Sequence, residues 1–147
     1  MVPSGIDKEK LLLQLDRLEG FLRHLGNIQD EIKGNEKNLD ATVQAAAERN
    51  LQICIEECIN IGNHLISGLH LARADTYKDV FLRLEEAKII SGDLSTKMQE
   101  FATFRNRLVH MYWEVSKKEI IQKIKEMEIV KEFARKISKL TATHRLL

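Results

Sequence analysis

Proline is almost missing from this chain. Its single copy, Pro3, stands at the start of 147 residues, so no later segment loses a backbone donor to a pyrrolidine ring. Aromatic residues make up 5% of the sequence, and no long run alternates apolar with polar residues, which removes the usual signature of a sheet. Cysteine occurs twice, at Cys54 and Cys58. Four residues apart on a predicted helix, these suit two buried thiols far better than a disulfide. With His64 as a third ligand they supply too few donors for a structural zinc site. No stretch approaches the ~18 consecutive apolar residues that a bilayer span requires. The opening segment MVPSGIDKEK has no apolar centre of the kind a secretory leader needs. The expectation is a cytoplasmic protein without a membrane segment. There is also no glycine-rich phosphate loop, no Ser-His-Asp arrangement and no pair of carboxylates spaced for acid–base work.

Apolar residues amount to 44% and charged residues to 31%, enough for one packed core and a solvated surface. Lys, Glu, Leu and Ile are abundant. The fold class expected is all-α, a single domain over 1–147 built as an up-and-down bundle of four to five helices, with its core in about 5–140 and a frayed tail at 141–147. The net charge of +1 conceals an asymmetry: residues 115–147 carry nine Lys/Arg against four Glu, and the first 114 carry fourteen against eighteen. A basic final helix can follow phosphates or simply be a solvated face.

Leu11, Leu15, Leu18, Leu22 and Leu25 step by four and three, which predicts a first helix over about 6–25, its seam widened by Leu12 and Phe21. Gly26 and Gly34 mark a connection. Asp40 caps a long second helix to about Leu69, with Val43, Ala47, Leu51, Cys54, Cys58, Ile61 and Leu65 along its inner stripe. Ala45, Ala46 and Gly62 leave room for a close neighbour, either a core partner or a second copy of the chain. Asp75 or Thr76 caps a third helix that points Val80, Phe81, Leu84 and Ala87 inward. The segment SGD at 91–93 opens a fourth, and Ser116 with Glu119 forms a capping box for the last, whose inner face is Ile120, Ile124, Met127, Ala134 and Ile137. Two long amphipathic helices near the N-terminus favour antiparallel packing.

The stretch FRNRLVHMYW at 104–113 places two arginines, an asparagine and a histidine in one of the most apolar parts of the chain. With about 100° per residue, Arg105 falls about 40° from Phe101, on the edge of the apolar face, and His110 about 180° from it. An arginine head beside a core must find acceptors or lie in a cleft. With about 140° between them, Arg105 and His110 meet only through the length of the arginine, a break in the helix near Trp113, or a second chain related by a two-fold axis. Imidazole exchanges protons near neutral pH and guanidinium binds phosphate through two donors. Such a set suits metal-free attack on an RNA phosphodiester by its own 2′-hydroxyl, with one histidine taking that proton and another protonating the leaving oxygen. It is equally the polar side of an ordinary amphipathic helix. His24, His64, His70 and His144 read as structural or surface residues, and Tyr77 as a packed ring. Trp113 reads first as an anchor packed at the end of the motif helix and second as a base-stacking side chain.

The same stretch resembles the signature of HEPN domains, an arginine and a histidine separated by four to six residues. More closely, Arg105, Asn106, His110 and Tyr112 resemble the R-x4-H-x-Y motif of the HepT-like toxins. The segments at 48–67 and 75–91 are similar to that family's second and third helices, so the resemblance covers most of 5–140. It implies a helical homodimer whose motifs face one another across a cleft, acting as a metal-independent ribonuclease toxin without a cofactor, on tRNA or mRNA. It also implies a cognate nucleotidyltransferase antitoxin that transfers AMP to the motif tyrosine. Arg105 and His110 are then catalytic, Asn106 supporting, and Tyr112 the site of AMPylation. Arg107, on the same helical side as His110, is a candidate phosphate contact. The alternative is a non-catalytic partner of the nucleotidyltransferase that binds nucleotide or tRNA.

Overall fold

The computed structural model describes residues 5–142. Among these the chain forms six α-helical segments and no strand: α1 (Lys8–Ile32), α2 (Ala41–Gly68), α3 (Tyr77–Glu86), α4 (Gly92–His110), α5 (Lys117–Lys125) and α6 (Met127–Ala142). Short 3-10 turns lie at Glu36–Asn38 and Tyr112–Glu114. Since α5 and α6 are the arms of one bent rod, the molecule is an all-α bundle of five rods, in agreement with the class read from the sequence.

The helix starts are set by side-chain caps. Asp7, Asp40, Thr76, Ser91 and Ser116 each accept from a backbone N–H in the first turn of α1 to α5, and Ser116 and Glu119 close the reciprocal box. Each such cap is worth about 1 kcal/mol. Of the two candidates before α3, Thr76 is the cap.

Four boundaries differ from the sequence reading. Helix α1 does not stop at Leu25 but runs through Gly26 to Ile32, because Ile28 and Ile32 carry the buried stripe onward. Burying them outweighs the ~1 kcal/mol that an internal glycine costs. Helix α4 ends at His110 rather than passing through Tyr112. The last helix bends at Glu126, whose N–H is shared between the carbonyls of Gln122 and Lys123. Thr141, assigned to a frayed tail, is buried inside α6 and hydrogen-bonds the carbonyl of Ile137. Residues 143–147, with His144, lie outside the described part. Leu12 and Ala87 face solvent instead of the core, and Ala45 and Ala46 are exposed, so no core partner within the described residues packs over them.

Long-range contacts show α1 and α2 to be antiparallel. Gly5 donates to the carbonyl of Gly68, the Asp7 N–H meets His64, and Arg17 pairs with Glu57 at 2.9 Å, so the start of one helix lies along the end of the other. Helices α3 and α4 pack as a second hairpin against α2. A Cβ on Gly62 would clash with Val80, so the small residue admits α3, a core neighbour. Phe81 and Phe133 meet edge to face at 5.7 Å and join α3 to α6. Cys54 and Cys58 are fully buried and unpaired. Burial, reinforced by Glu57, pushes the Cys54 thiol up to about 12, and burial raises Cys58 as well. Both are inert thiols at neutral pH. Among the described residues no helix is long and apolar enough to cross a membrane.

His64 is the polar latch of the α1–α2 pair. Its Nε2 accepts from the Asp7 amide at 3.1 Å, which leaves Nδ1 as the protonated nitrogen, donating to Gln14 Oε1 at 2.9 Å. Protonation of Nε2 would remove that acceptor. Burial and then Lys10 lower the pKa of His64 from its ordinary value, against a smaller raising effect of Asp7. The latch is therefore complete above about pH 6.5, and its contribution is lost as pH falls below the unfolded value and through the depressed folded one. Urea unfolding at pH 7.5 and 5.5 should show the wild type losing more stability than His64→Gln over that interval. Equal losses would show that His64 does not report on this contact.

Candidate active site

Buried Phe101, Phe104 and Leu108 fix the rotation of α4 about its axis. That rotation puts Arg105 at the margin of the core, with Asn106 and His110 on the sector that turns away from it. The gap they face lies between the end of α4, the α2 residue Asn63 and the N-terminal turn of α3. It is a cleft of about 550 Å³ whose polar lining includes Asn63, Asp75, Tyr77, Arg105, Asn106 and His110. The divergence of about 140° between Arg105 and His110 is thus spanned by the cleft itself, with Asn106 between them. Within one chain all three line the same space, and the helix is unbroken up to His110.

Arg105 is held from two helices. Its Nε donates to Glu56 Oε2 at 2.8 Å, and Nη2 lies 2.8 Å from the same oxygen. Nη1 donates to Asn106 Oδ1 at 3.2 Å. The guanidinium carbon sits 4.9 Å from the centre of the Tyr77 ring. Only 14% of the arginine side chain is exposed, yet each terminal nitrogen keeps one N–H beyond these bonds. Glu56 also accepts from Gln52, one turn earlier on α2. Asn106 spends its oxygen on Arg105, which leaves its amide nitrogen as a donor toward the cleft. His110, the last residue of α4, is exposed. Among the described residues no group of three His, Cys, Asp or Glu side chains is gathered as for a metal ion.

Arg107 lies outside this cleft. Its two terminal nitrogens grip both oxygens of Glu119, with Nη2 to Oε1 at 3.0 Å, and Nη2 reaches the carbonyl of Glu114. Hydrogen bonding to Glu119 raises the arginine further above its ordinary pKa, and the same bond lowers Glu119 below the usual carboxylate range. Glu119 is the residue of the α5 capping box, so Arg107 ties the end of α4 to the start of α5. The chain between them makes the Tyr112–Glu114 turn, where Tyr112 is 61% and Trp113 69% exposed. Trp113 is therefore not the packed anchor expected of it. Its ring stands edge to face with Tyr112 at 5.4 Å.

Sequence reasoning did not find Glu56, Asn63 or Asp75, and it weighed Tyr77 as a packed ring. Tyr77 is instead 40% exposed and stacked on Arg105. The one signal for Glu56 was an acid at the edge of the buried α2 stripe, beside Ile55, matching an arginine at the edge of the α4 stripe. Of the other histidines, His24 lines a shallow groove between α1 and α6, and His70 closes α2 with a left-handed backbone at φ 55°. Neither approaches the motif cleft.

Residues 11–139 match the family model described as Ribonuclease HepT-like. The chain belongs to that family. It is 32% identical over 83 residues to the mRNA nuclease HepT of Shewanella oneidensis, a match covering 56% of this chain and 62% of that one. It is 27% identical over 113 residues to the tRNA nuclease HepT of Aphanizomenon flos-aquae, covering 73% and 77%. Solved structures share the fold of this HepT-like chain. The cytosolic protein YutE of Bacillus subtilis superposes with a TM-score of 0.81 at 20% identity, over 96% of this chain and 95% of that one. A tri-AMPylated HEPN toxin of Shewanella oneidensis, in complex with its MNT antitoxin, gives 0.80 at 23% identity, over 88% and 96%.

The Glu56–Arg105 pair can be tested without any assay of activity. Removing the acid leaves a mostly buried guanidinium short of its main acceptor, which should cost about 1–2 kcal/mol, less than a fully buried pair because Glu56 is 30% exposed. Glu56→Ala should lose that stability in urea unfolding, and Glu56→Ala combined with Arg105→Met should lose less than the two single changes added. Strict additivity would show that the two side chains are not coupled.

Proposed function

We propose that this HepT-like chain is an endoribonuclease toxin that cuts an RNA phosphodiester without a metal ion. The observation that carries it is the convergence of Arg105, Asn106 and His110 on one cleft. A phosphate seated there meets the uncommitted N–H donors of Arg105 and the amide of Asn106, and those donors stabilise the charge that grows on the phosphoryl oxygens. His110 takes the proton of the adjacent 2′-hydroxyl, whose oxygen attacks phosphorus. The bond to the 5′-oxygen breaks and that oxygen leaves as a hydroxyl, so the products are a 2′,3′-cyclic phosphate and a 5′-hydroxyl. Protonating the leaving oxygen calls for a second acid, which a homodimer with two facing clefts provides as a second His110. The RNA nuclease names of the two relatives support the substrate class and leave open whether the RNA is a messenger or a transfer RNA. Purified protein in excess chelator should cleave RNA, and His110→Ala or Arg105→Ala should lower the rate by at least about a hundredfold. Cleavage that returns only with added divalent metal would refute the mechanism. An inert wild-type protein, harmless when expressed alone, would favour a binding partner over an enzyme.

A partner nucleotidyltransferase that adds AMP to Tyr112 is the regulation proposed for this site. The exposed phenol stands two residues from His110, and an adenylate there adds bulk and negative charge where RNA phosphate must approach. The AMPylated neighbour bound to its MNT antitoxin supports this reading. Intact mass after co-expression with the partner should rise by whole adenylate units in the wild type. An unchanged mass, or an identical rise in Tyr112→Phe, would place the regulation elsewhere.

A further inference from the structure

Trp113 is the sole tryptophan of the chain and the most exposed of its large apolar side chains among the described residues. Leaving an indole in water is unfavourable, and among the described residues only the Tyr112 ring is stacked against it, edge to face. The turn that carries it is nevertheless firmly built. The Glu114 N–H bonds the carbonyl of Met111 at 2.9 Å, the Val115 N–H bonds that of Tyr112 at 3.1 Å, and Val115 is buried immediately behind. The Arg107–Glu119 pair then clamps both ends of the segment together. The ring is thus held out from the fold by its backbone, with Tyr112 edge-on to it and His110 three residues away, a span of at most about 11 Å along the chain.

We infer that Trp113 is a stacking platform for a nucleobase of the RNA, next to the phosphate held between Arg105 and His110. This rests on the ribonuclease reading and names the part of the substrate that the cleft does not itself grip. A base has an apolar π-face of the right size for an indole, and stacking of this kind tolerates any sequence. The charges nearby fit a polyanion. Lys117 and Lys118 make no ion pair among the described residues and stand in the first turn of α5, where the helix dipole disfavours cations. Glu114 opposes them, whereas the charge of Glu119 is already matched by Arg107. A second copy of the chain fits this patch less well. The exposed apolar group here is Met111, Tyr112 and Trp113, already partly covered, and together they offer roughly half of the ~800 Å² per partner that a stable interface buries.

Because Trp113 is alone, intrinsic fluorescence reads it directly. The probe is an unlabelled single-stranded RNA added to full-length His110→Ala, with binding followed independently by anisotropy of the same RNA carrying a dye. Without RNA, the emission should be that of a water-exposed indole. At saturation it should be quenched by about half, whereas a strand abasic near the bound phosphate should bind with little quenching. Trp113→Ala in the same background should weaken binding about tenfold, and Trp113→Phe should keep it within about threefold. Binding seen by anisotropy with unchanged emission would overturn the platform and leave the ribonuclease reading standing. An absence of RNA binding would defeat that reading and the platform with it. Emission already blue-shifted and shielded from acrylamide before RNA is added, increasingly so with protein concentration, would assign the face to self-association and overturn the inference.

Discussion

A guanidinium at the edge of a hydrophobic core cannot stay there without a partner, and everything about this cleft follows from the partner Arg105 has. Glu56 reaches across from α2, and one of its oxygens accepts from Nε and lies 2.8 Å from Nη2 on the same edge of the guanidinium. Tyr77 at the start of α3 covers the face of the same group. Three helices thus converge on one cation, and the cleft is the space left where they cannot close over it. The pair adds little to net stability, since desolvating two charges offsets most of their attraction. Its effect is on orientation. With Nε committed to Glu56 and one terminal nitrogen to Asn106, the remaining donors project in a fixed direction. An unpaired arginine on the surface would instead sample many rotamers, and an anion would have to freeze it.

The two arginines of the motif stretch divide their work between holding a charge in the cleft and ending a helix. Arg107 is bound to Glu119, whose carboxylate also closes the capping box of α5. Two elements therefore share one acid. The clamp determines where α4 stops, and His110 becomes its last residue instead of a mid-helix one. Had α4 continued as an ideal helix, Tyr112 would have fallen at about 340° from Arg105, back toward the core margin. Ending the helix at His110 releases Tyr112 and Trp113 to the outside. The exposure of both rings is a consequence of an ion pair that touches neither of them.

Much of this was written plainly in the sequence. Short polar side chains before apolar periodic segments gave four helix starts, and the two long amphipathic helices near the N-terminus gave the antiparallel α1–α2 pair. The motif at 104–113 was legible because local spacing on one helix is enough to express it. What stayed hidden was non-local or depended on competition between small energies. Glu56 lies 49 residues before Arg105, and any of several acids on α2 could have faced it. The passage of α1 through Gly26 turned on whether two isoleucines gain more by burial than a glycine loses by ordering. The bend at Glu126 carries no proline or glycine. The exposure of Trp113 was misjudged because aromatic residues near a core usually enter it, and the clamp that keeps this one out joins side chains twelve residues apart.

The geometry of displacement at phosphorus sets one more condition. Attacking and leaving oxygens approach a line through the phosphorus atom, on opposite sides of it. One imidazole on one wall cannot serve both ends at the same moment. Among the described residues His110 is the histidine that this cleft presents, while Asp75 on the α3 side faces it from the other wall. Under the ribonuclease reading, the second proton must come from a facing copy of His110 or from water. Water is a far weaker acid than an imidazolium. The imidazolium of a second subunit is matched to that task, and two clefts related by a two-fold axis would set one histidine on each side of the phosphate. On that proposal a lone chain would hold the phosphate-binding half of the reaction complete and the proton-transfer half by one side only, which is the physical reason to expect activity to rise with the fraction of assembled protein.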